Sequence, residues 1–489
     1  MTTASIRSLI RETAIYGISS VIARSMGLIL LPVLTNLLLP EEFGHLKLAY
    51  TLVALLQLFF IFGMGNSLVR HLIGAEDKAE IFSTHFWPLL TVSSVGAVAV
   101  WLGADSIAAS YFAEPLPGDA QIVRLAALLL WLDAVNTPVY SYLRAENRPF
   151  LFMAGILSSI VVYGVLVVYL LAWRSMGMTG VFTANIAGSA TVLLLYLPIL
   201  FKMIRPVFNR SSFAVYFAFG FPIIFSSLGK IMLDMAARII LDRLKGAQVV
   251  AFFSAGYQVA AVANLAVAAF TLAWKPFLVR AADRPDSERV FARVMTLSMV
   301  FLCALFLCVS FFADDLVRIS FFGFRLIHES YWEGLKVIPP VMVSYIFFGA
   351  YINLTVGCDL TRRTHYYAWT TGAAAVFNVA ANLLLIPVWG MMGAAWAALF
   401  AYFIQAAFLF CLVRRIYPIR YEWERLAGLS VITAACFAGA RLSGSSVWVE
   451  GLFLLIFAVL LFAAKILEPG VLKAIQSTSP GVKAKRQGE

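Results

Sequence analysis

Lys230, Asp234, Arg238 and Asp242 fall four residues apart, alternate in sign, and sit inside an apolar stretch from Phe213 to Leu244. Residues four apart share one face of a helix, so these charges form a single slowly winding stripe. A charged side chain at the centre of a bilayer costs about 2.5–3.5 kcal/mol on insertion scales and more on others. A chain that keeps several there turns them toward a protein interior or a water-filled cavity. Two readings stay open for the stripe. It is a self-neutralising ladder that holds its helix in a bundle, or it is the wall of a polar cleft. In a cleft, Lys230 and Arg238 attract anions, and the planar fork of Arg donates two parallel hydrogen bonds to a phosphate.

Two further charges lie inside apolar segments. Arg24 comes about thirteen residues into the first of them, near mid-depth at about 1.5 Å rise per residue, with no opposite charge in its own helix. Its candidate partners are Asp133, also near mid-depth, and an anionic substrate. Asp133 is the only acid well inside an apolar segment in the first half of the chain. It reads either as a fixed structural partner of Arg24 or as a proton-coupling switch, and Asp234 is the second candidate for ion coupling. Arg24, Lys230 and Arg238 are the candidate substrate-binding residues.

The elements that must position these groups are membrane helices. Of 489 residues, 62% are hydrophobic and 13% charged, with a mean hydropathy of +0.88. Soluble domains carry about 25% charged residues. Apolar windows of about twenty residues recur along the whole chain, near 10–39, 44–70, 82–104, 122–145, 150–173, 178–204, 213–243, 249–275, 290–313, 333–358, 365–388, 391–416, 424–441 and 447–467. The fold class is all-α and polytopic, with about fourteen spans. The first run has no small-x-small cleavage site and reads as a retained span rather than a signal peptide.

The net charge of +11 does not call for nucleic acid, because the basic residues gather in short loops. Assigning alternate loops to opposite sides puts about 25 Lys and Arg on one side and about 9 on the other, with Arg24, Lys230 and Arg238 inside spans. The positive-inside rule then places both termini in the cytoplasm and the protein in the plasma (inner) membrane. The five cysteines lack metal-ligand spacing and read as small packing residues.

The chain also resembles itself at an offset of about 210 residues. Phe43 opens a span ending Ser67-Leu68-Val69-Arg70, and Phe253 opens one ending Phe277-Leu278-Val279-Arg280. Gly177-Met178-Thr179-Gly180 and Gly390-Met391-Met392-Gly393 break corresponding spans. Repeats separated by an even number of spans share one topology and relate by a pseudo-two-fold axis along the membrane normal. The expected domains are an N-lobe at 1–209, a C-lobe at 210–418, an extra helix pair at 419–470 and a disordered cytoplasmic tail at 471–489.

Three stretches, LPVLTNLLLPEEFG at 31–44, YWEGLKVIPPVMVSYIFFGAYINLTVG at 331–357 and NVAANLLLIPVWGMMGAAWAAL at 378–399, resemble the polysaccharide export proteins of the multidrug/oligosaccharidyl-lipid/polysaccharide exporter superfamily. The resemblance covers the whole chain in order. It implies an O-antigen-flippase-like protein that moves undecaprenyl-diphosphate-linked oligosaccharide from the cytoplasmic to the outer leaflet, by alternating access between two lobes and with ion coupling. Many O-antigen flippases have about twelve spans, whereas about fourteen are read here, as in lipid II flippases. The lipid-linked oligosaccharide and membrane lipids are the implied partners, with other polysaccharide assembly proteins as further candidates.

No phosphate-cradling loop, zinc-ligand cluster or soluble catalytic segment is legible, so no cofactor and no enzymatic activity are expected. Energy is then expected from a gradient or from downhill consumption of the substrate, not from ATP bound by this chain. The alternative is a multidrug or organic-cation antiporter of the same superfamily, which would favour an acidic or aromatic cavity. A membrane glycosyltransferase would need a larger outer loop than the one at 314–332.

Overall fold

The computed structural model describes residues 3–282, 284–321, 323–444 and 446–467; the expected tail at 471–489 lies outside the described residues. The helices before residue 209, named the first lobe for convenience, are α1 (Thr3–Leu37), α2 (Pro40–Ile61), α3 (Met64–Leu72), α4 (Lys78–Leu102), α5 (Ala104–Tyr111), α6 (Asp119–Ala145), α7 (Pro149–Ala172) and α8 (Gly177–Met203). Those that follow, named the second lobe, are α9 (Arg210–Lys245), α10 (Ala247–Ala260), α11 (Val262–Ala281), α12 (Ser287–Arg318), α13 (Ile338–Thr361) and α14 (His365–Val413). A two-residue-strand hairpin, β1 (Ser320–Phe321) with β2 (Phe324–Arg325), and a 3-10 segment (Glu329–Val337) join α12 to α13. The last described helices are the pair α15 (Trp423–Leu442) and α16 (Val447–Ala463).

Eleven helices among the described residues are long and apolar enough to cross a bilayer, and the number is twelve when α10 and α11, bent by 41° at their junction, are counted as one span. The 49 residues of α14 would extend about 74 Å, more than twice a hydrocarbon core of about 30 Å. It is two spans, meeting at Gly390, whose φ of 55° and ψ of −132° leave the helical region. Only glycine takes that conformation without strain. With the two halves of α14, the bent pair and the shorter 17-residue apolar α16 each counted, the described helices correspond to the fourteen apolar runs of the sequence. Gly177 also has a φ of 55°, so the two Gly-Met-x-Gly breaks share a backbone signature as well as a sequence.

Loop contacts define the two ends of the bundle. At one end Arg205 pairs with Asp77, Lys78 with Glu146 and Arg293 with Glu422; this end also carries Arg362, Arg363, Arg414 and Arg415 and is called basic. The opposite end, called acidic, holds Glu41, Glu42, Asp105, Asp119, Asp314 and Asp315. Helices begin where caps are available. Asp77 Oδ1 accepts from the backbone N–H of Ala79 and Glu80, both at 3.1 Å, ahead of α4. The N–H of Leu39 donates to Glu42 Oε2 at 3.1 Å ahead of α2.

The core explains where the lobes meet. Its largest cluster joins both: Phe43 and Leu46 of α2 pack with Val250 and Phe253 of α10 and with Tyr331. A Cβ on Gly44 would collide with the carbonyl of Ala247, so these helices cross in backbone contact. Smaller separate clusters serve each lobe toward the basic end, around Leu68, Phe82, Tyr142 and Tyr196 in the first and around Trp274, Leu278 and Phe291 in the second. The lobes therefore share a core on the acidic side and part on the basic side. The long α9 bridges them, its first half against α3 and α4 and its second half against α14. Large apolar side chains such as Val95, Val165, Leu384 and Leu455 face outward, as a lipid-solvated surface requires.

Candidate functional site

Where the lobes part lies a cavity of about 850 Å³. Its walls come from α1, α9, α11, α13 and α14, and it runs from Asp234 and Tyr402 at mid-depth to Lys275, Asp359 and Tyr367 toward the basic end. The sequence-predicted Arg24, Lys230 and Asp234 all line it. Arg24 and Lys230 are exposed into it, and neither forms an ion pair among the described residues. The Asp234 carboxylate lies in the field of Lys230, Arg238 and Arg24 together, so charges from both lobes converge. Asn264, Thr271, Thr371 and Gln405 add neutral hydrogen-bonding groups to the walls.

The self-neutralising ladder does not form. Asp234 accepts a 2.6 Å hydrogen bond from the Tyr402 hydroxyl and is not within ion-pair distance of Lys230 or Arg238. Arg238 stands just beyond the cavity wall, its guanidinium 5.7 Å from the centre of the Tyr257 ring and its buried Nε without a hydrogen-bond partner. Beside it lies Lys47, counted in the sequence reading among the loop charges. The structure places Lys47 inside α2, where its Nζ donates to Gln258 Oε1 across the lobe seam at 2.8 Å and lies in the field of Arg238. Arg24, Lys47, Lys230 and Arg238 thus gather around Asp234 along the seam, with Lys275 and Asp359 nearer the basic end. Lys47 was missed because its place near the start of a span resembles an interfacial anchor. Its spacing from Phe43, over whose ring it lies at 4.7 Å, was the available signal.

Asp133 sits elsewhere. Ser189 Oγ donates to its Oδ1 at 2.7 Å, and Asn136 Nδ2 donates to the Ser189 carbonyl at 2.9 Å. Tyr50 and Tyr140 lie in its field. It makes no ion pair with Arg24 among the described residues, because α6 turns it into the interior of the first lobe whereas α1 turns Arg24 into the cavity.

Asp242 leaves the stripe altogether and helps close the acidic end. Its Oδ2 accepts from the backbone N–H of Ala113 at 2.9 Å, and the neighbouring Arg243 donates to the carbonyls of Ser110 and Tyr111. Close by, His45 Nδ1 lies 2.9 Å from Asp119 Oδ2, both side chains buried to 1% exposure, and the imidazole stacks on Phe112. The end of α1 is strapped to the second lobe by Asn36, whose side chain exchanges two hydrogen bonds with the backbone of Arg325, at 2.7 and 3.2 Å. The Tyr331 hydroxyl donates to the Leu38 carbonyl at 2.8 Å. Closure of this end is thus made by specific polar contacts between lobes as well as by the shared core.

Of the other polar residues flagged by the sequence, Asn185 donates to the Tyr50 hydroxyl at 3.1 Å and Gln405 to Thr371 Oγ1 at 3.1 Å. Asn382 donates to Asn378 within one helix. Trp274 is buried against the cavity wall, whereas Trp131 donates to Ser94 on the flank of the first lobe. The described residues contain no group of three metal-ligating side chains.

Two helical lobes enclosing a charged cavity define a multi-pass membrane transporter fold. Among solved structures, the lipid II flippase MurJ in an inward closed conformation superposes with a TM-score of 0.73 over 92% of this chain and 99% of that one, at 12% identity. An inward-facing multidrug resistance MATE family transporter of the MOP superfamily does so with a TM-score of 0.64 over 81% of this chain and 95% of that one, at 14% identity. At such identities the likeness is one of fold. The family model for polysaccharide biosynthesis proteins matches residues 9–282, more than half of the chain, and the chain belongs to that family. It is 25% identical over 263 residues to the succinoglycan biosynthesis transport protein ExoT of Rhizobium meliloti (strain 1021). That match takes in 53% of this chain and 50% of the relative, so the chain spans about half the length of the curated relative it matches.

Proposed function

We propose that the protein carries a diphosphate-linked oligosaccharide on a polyisoprenyl lipid across the membrane, from the basic side to the acidic side. The observation that carries this reading is the cavity itself, with Arg24 and Lys230 unpaired in its walls and Arg238 and Lys47 behind them. A diphosphate headgroup is the ligand such a cavity fits. Charge-assisted bonds from Arg and Lys to phosphate oxygens are about twice as strong as neutral ones, and the surrounding amides and hydroxyls suit sugars. The sequence asymmetry of Lys and Arg supports a basic side in the cytoplasm, with both termini there and the protein in the plasma membrane.

The division of the core supports alternating access. The lobes are joined toward the acidic end and apart toward the basic end, which fits a state loaded from the cytoplasmic leaflet. Moving the headgroup outward requires breaking the contacts of Asp242, Arg243, Asn36 and Tyr331 and forming new ones on the basic side. Asp133 and Asp234, one carboxylate in each lobe, are the residues proposed to couple this exchange to an ion gradient. The expected N-lobe, C-lobe and terminal pair, divided near 209 and 418, are the moving bodies of this proposal, with polysaccharide assembly proteins as candidate partners. An organic-cation antiporter fits less well, since the cavity cations repel such cargo.

The test is translocation in proteoliposomes of a fluorescent polyisoprenyl-diphosphate oligosaccharide, with the monophosphate analogue and a zwitterionic phospholipid as controls. The proposal expects transport of the first, weaker transport of the second and none of the third. Equal scrambling of all three overturns it.

A further inference from the structure

Asp234 raises a problem that the proposed function leaves unsolved. Lys230 and Arg238 stand four residues to either side of it on α9, the spacing at which helical ion pairs form. Arg24 reaches the same field from α1. A carboxylate so placed would be expected to close on one of these cations and cancel the charge that attracts a phosphate. It does not. Its Oδ1 instead accepts the Tyr402 hydroxyl hydrogen at 2.6 Å, from the adjoining helix α14.

Tyr402 is held to do this. It is 4% exposed, and its ring packs edge-on against Phe348 at 5.4 Å and beside Tyr345 at 6.1 Å. Leu233, the neighbour of Asp234 in sequence, is buried in the same small cluster as Tyr402. The hydroxyl is therefore fixed in space by ring packing that does not depend on the bond it makes. The carboxylate, by contrast, lines the cavity and is only half-buried.

We infer that Tyr402 is a positioning residue for anion binding: by holding Asp234 toward α14 it keeps Lys230 and Arg24 unpaired for the substrate's diphosphate. The inference rests on the proposed function for the identity of the anion, but the restraint itself is independent of it. Asp234 still tempers the local charge, so the empty cavity is not a cluster of cations alone. An arriving diphosphate meets cations that need not first be released from a salt bridge.

Tyr402→Phe removes the hydroxyl and leaves the ring. Two measurements on the full-length protein in nanodiscs test the inference. A structure of the ligand-free variant should show the Asp234 carboxylate within ~4 Å of a nitrogen of Lys230, Arg238 or Arg24, the ion-pair distance. Binding of a polyisoprenyl diphosphate should weaken on the order of tenfold, the equivalent of one charge-assisted hydrogen bond diverted, at an unchanged melting temperature. Adding Asp234→Asn should restore binding to the level of Asp234→Asn alone, because a neutral amide no longer competes for the cations. A loss of packing would not be rescued by that second change. An unmoved carboxylate in the variant structure, or a double variant as weak as Tyr402→Phe, overturns the inference. If the wild type binds no polyisoprenyl diphosphate, the proposed function fails, and the variant structure alone then decides the role of Tyr402.

Discussion

Replacing Arg24 with alanine isolates the cation that the first lobe contributes to the cavity. Arg24 is exposed in the cavity wall and has no acidic partner among the described residues, so its removal leaves no buried charge uncompensated. What is lost is its bonding to the ligand. Hydrogen bonds to charged groups are worth about 1.5–3 kcal/mol each, so losing a single bond raises the dissociation constant of a diphosphate lipid about ten- to hundredfold. A bidentate contact gives the upper figure. Arg24→Lys keeps the charge and loses the fork, and recovers part of the deficit. Arg24→Glu adds a second carboxylate beside Asp234 and should bind more weakly than alanine. Equilibrium binding in nanodiscs, with diphosphate and monophosphate forms of one oligosaccharide lipid, reads these differences directly. The penalty should shrink as salt is raised, since a wet cavity is screened more than a buried pair. If Arg24→Ala, Arg24→Lys and Arg24→Glu all bind as the wild type does, the electrostatic reasoning is refuted.

Asp133→Asn should abolish gradient-driven uptake while leaving the melting temperature and gradient-free exchange in place; loss of exchange as well would point to a structural role. Asp242→Ala strands the Ala113 amide and loosens the acidic end by about 1–3 kcal/mol, the cost of an unmet buried donor, seen as faster labelling of a cysteine introduced at position 113; unchanged labelling contradicts it. Gly44→Ala drives a methyl into the Ala247 carbonyl and should lower the melting temperature through about 1–3 kcal/mol of overpacking, whereas Gly74→Ala, in open space, meets only the backbone penalty of its φ of 77°. At the basic end, the Glu80 amide, then Arg205 and the Ala79 amide, hold the Asp77 carboxyl below its ordinary range. A lowered folded-state value means the contribution is present above about pH 4 and is lost as pH falls through the lowered value; Asp77→Asn, which keeps the cap, should flatten that acid limb of the melting curve.

The parts of the fold legible in the sequence were those set by composition along one axis. Fourteen apolar runs and the bias of Lys and Arg needed no knowledge of packing, and the glycines at 177 and 390 announced breaks because only glycine sits easily at positive φ. The kink between α2 and α3 at Phe62 and Gly63, and the bend between α10 and α11, were invisible to windows that average about twenty residues. Spacing left the charged stripe open between a ladder and a cleft wall; Lys230 and Asp234 line the cavity, but Asp242 is drawn to a loop of the other lobe, which spacing along a helix does not reveal. The same limit explains Asp133: depth in the membrane gave its height, and only the rotation of α6 separates it from Arg24. Lys47 and Tyr402 became visible once the lobes were assembled, since each acts on a residue more than 160 positions away.

The central claim is that the anionic headgroup is held in the cavity by cations of both lobes. Cryo-electron microscopy of the wild type in nanodiscs, saturated with a polyisoprenyl-diphosphate oligosaccharide, tests it most directly. Density for the two phosphates is expected within hydrogen-bonding distance of Arg24 and Lys230, with the sugars toward Asn264 and Gln405. A headgroup bound outside the cavity, or a cavity empty at saturation, would contradict it.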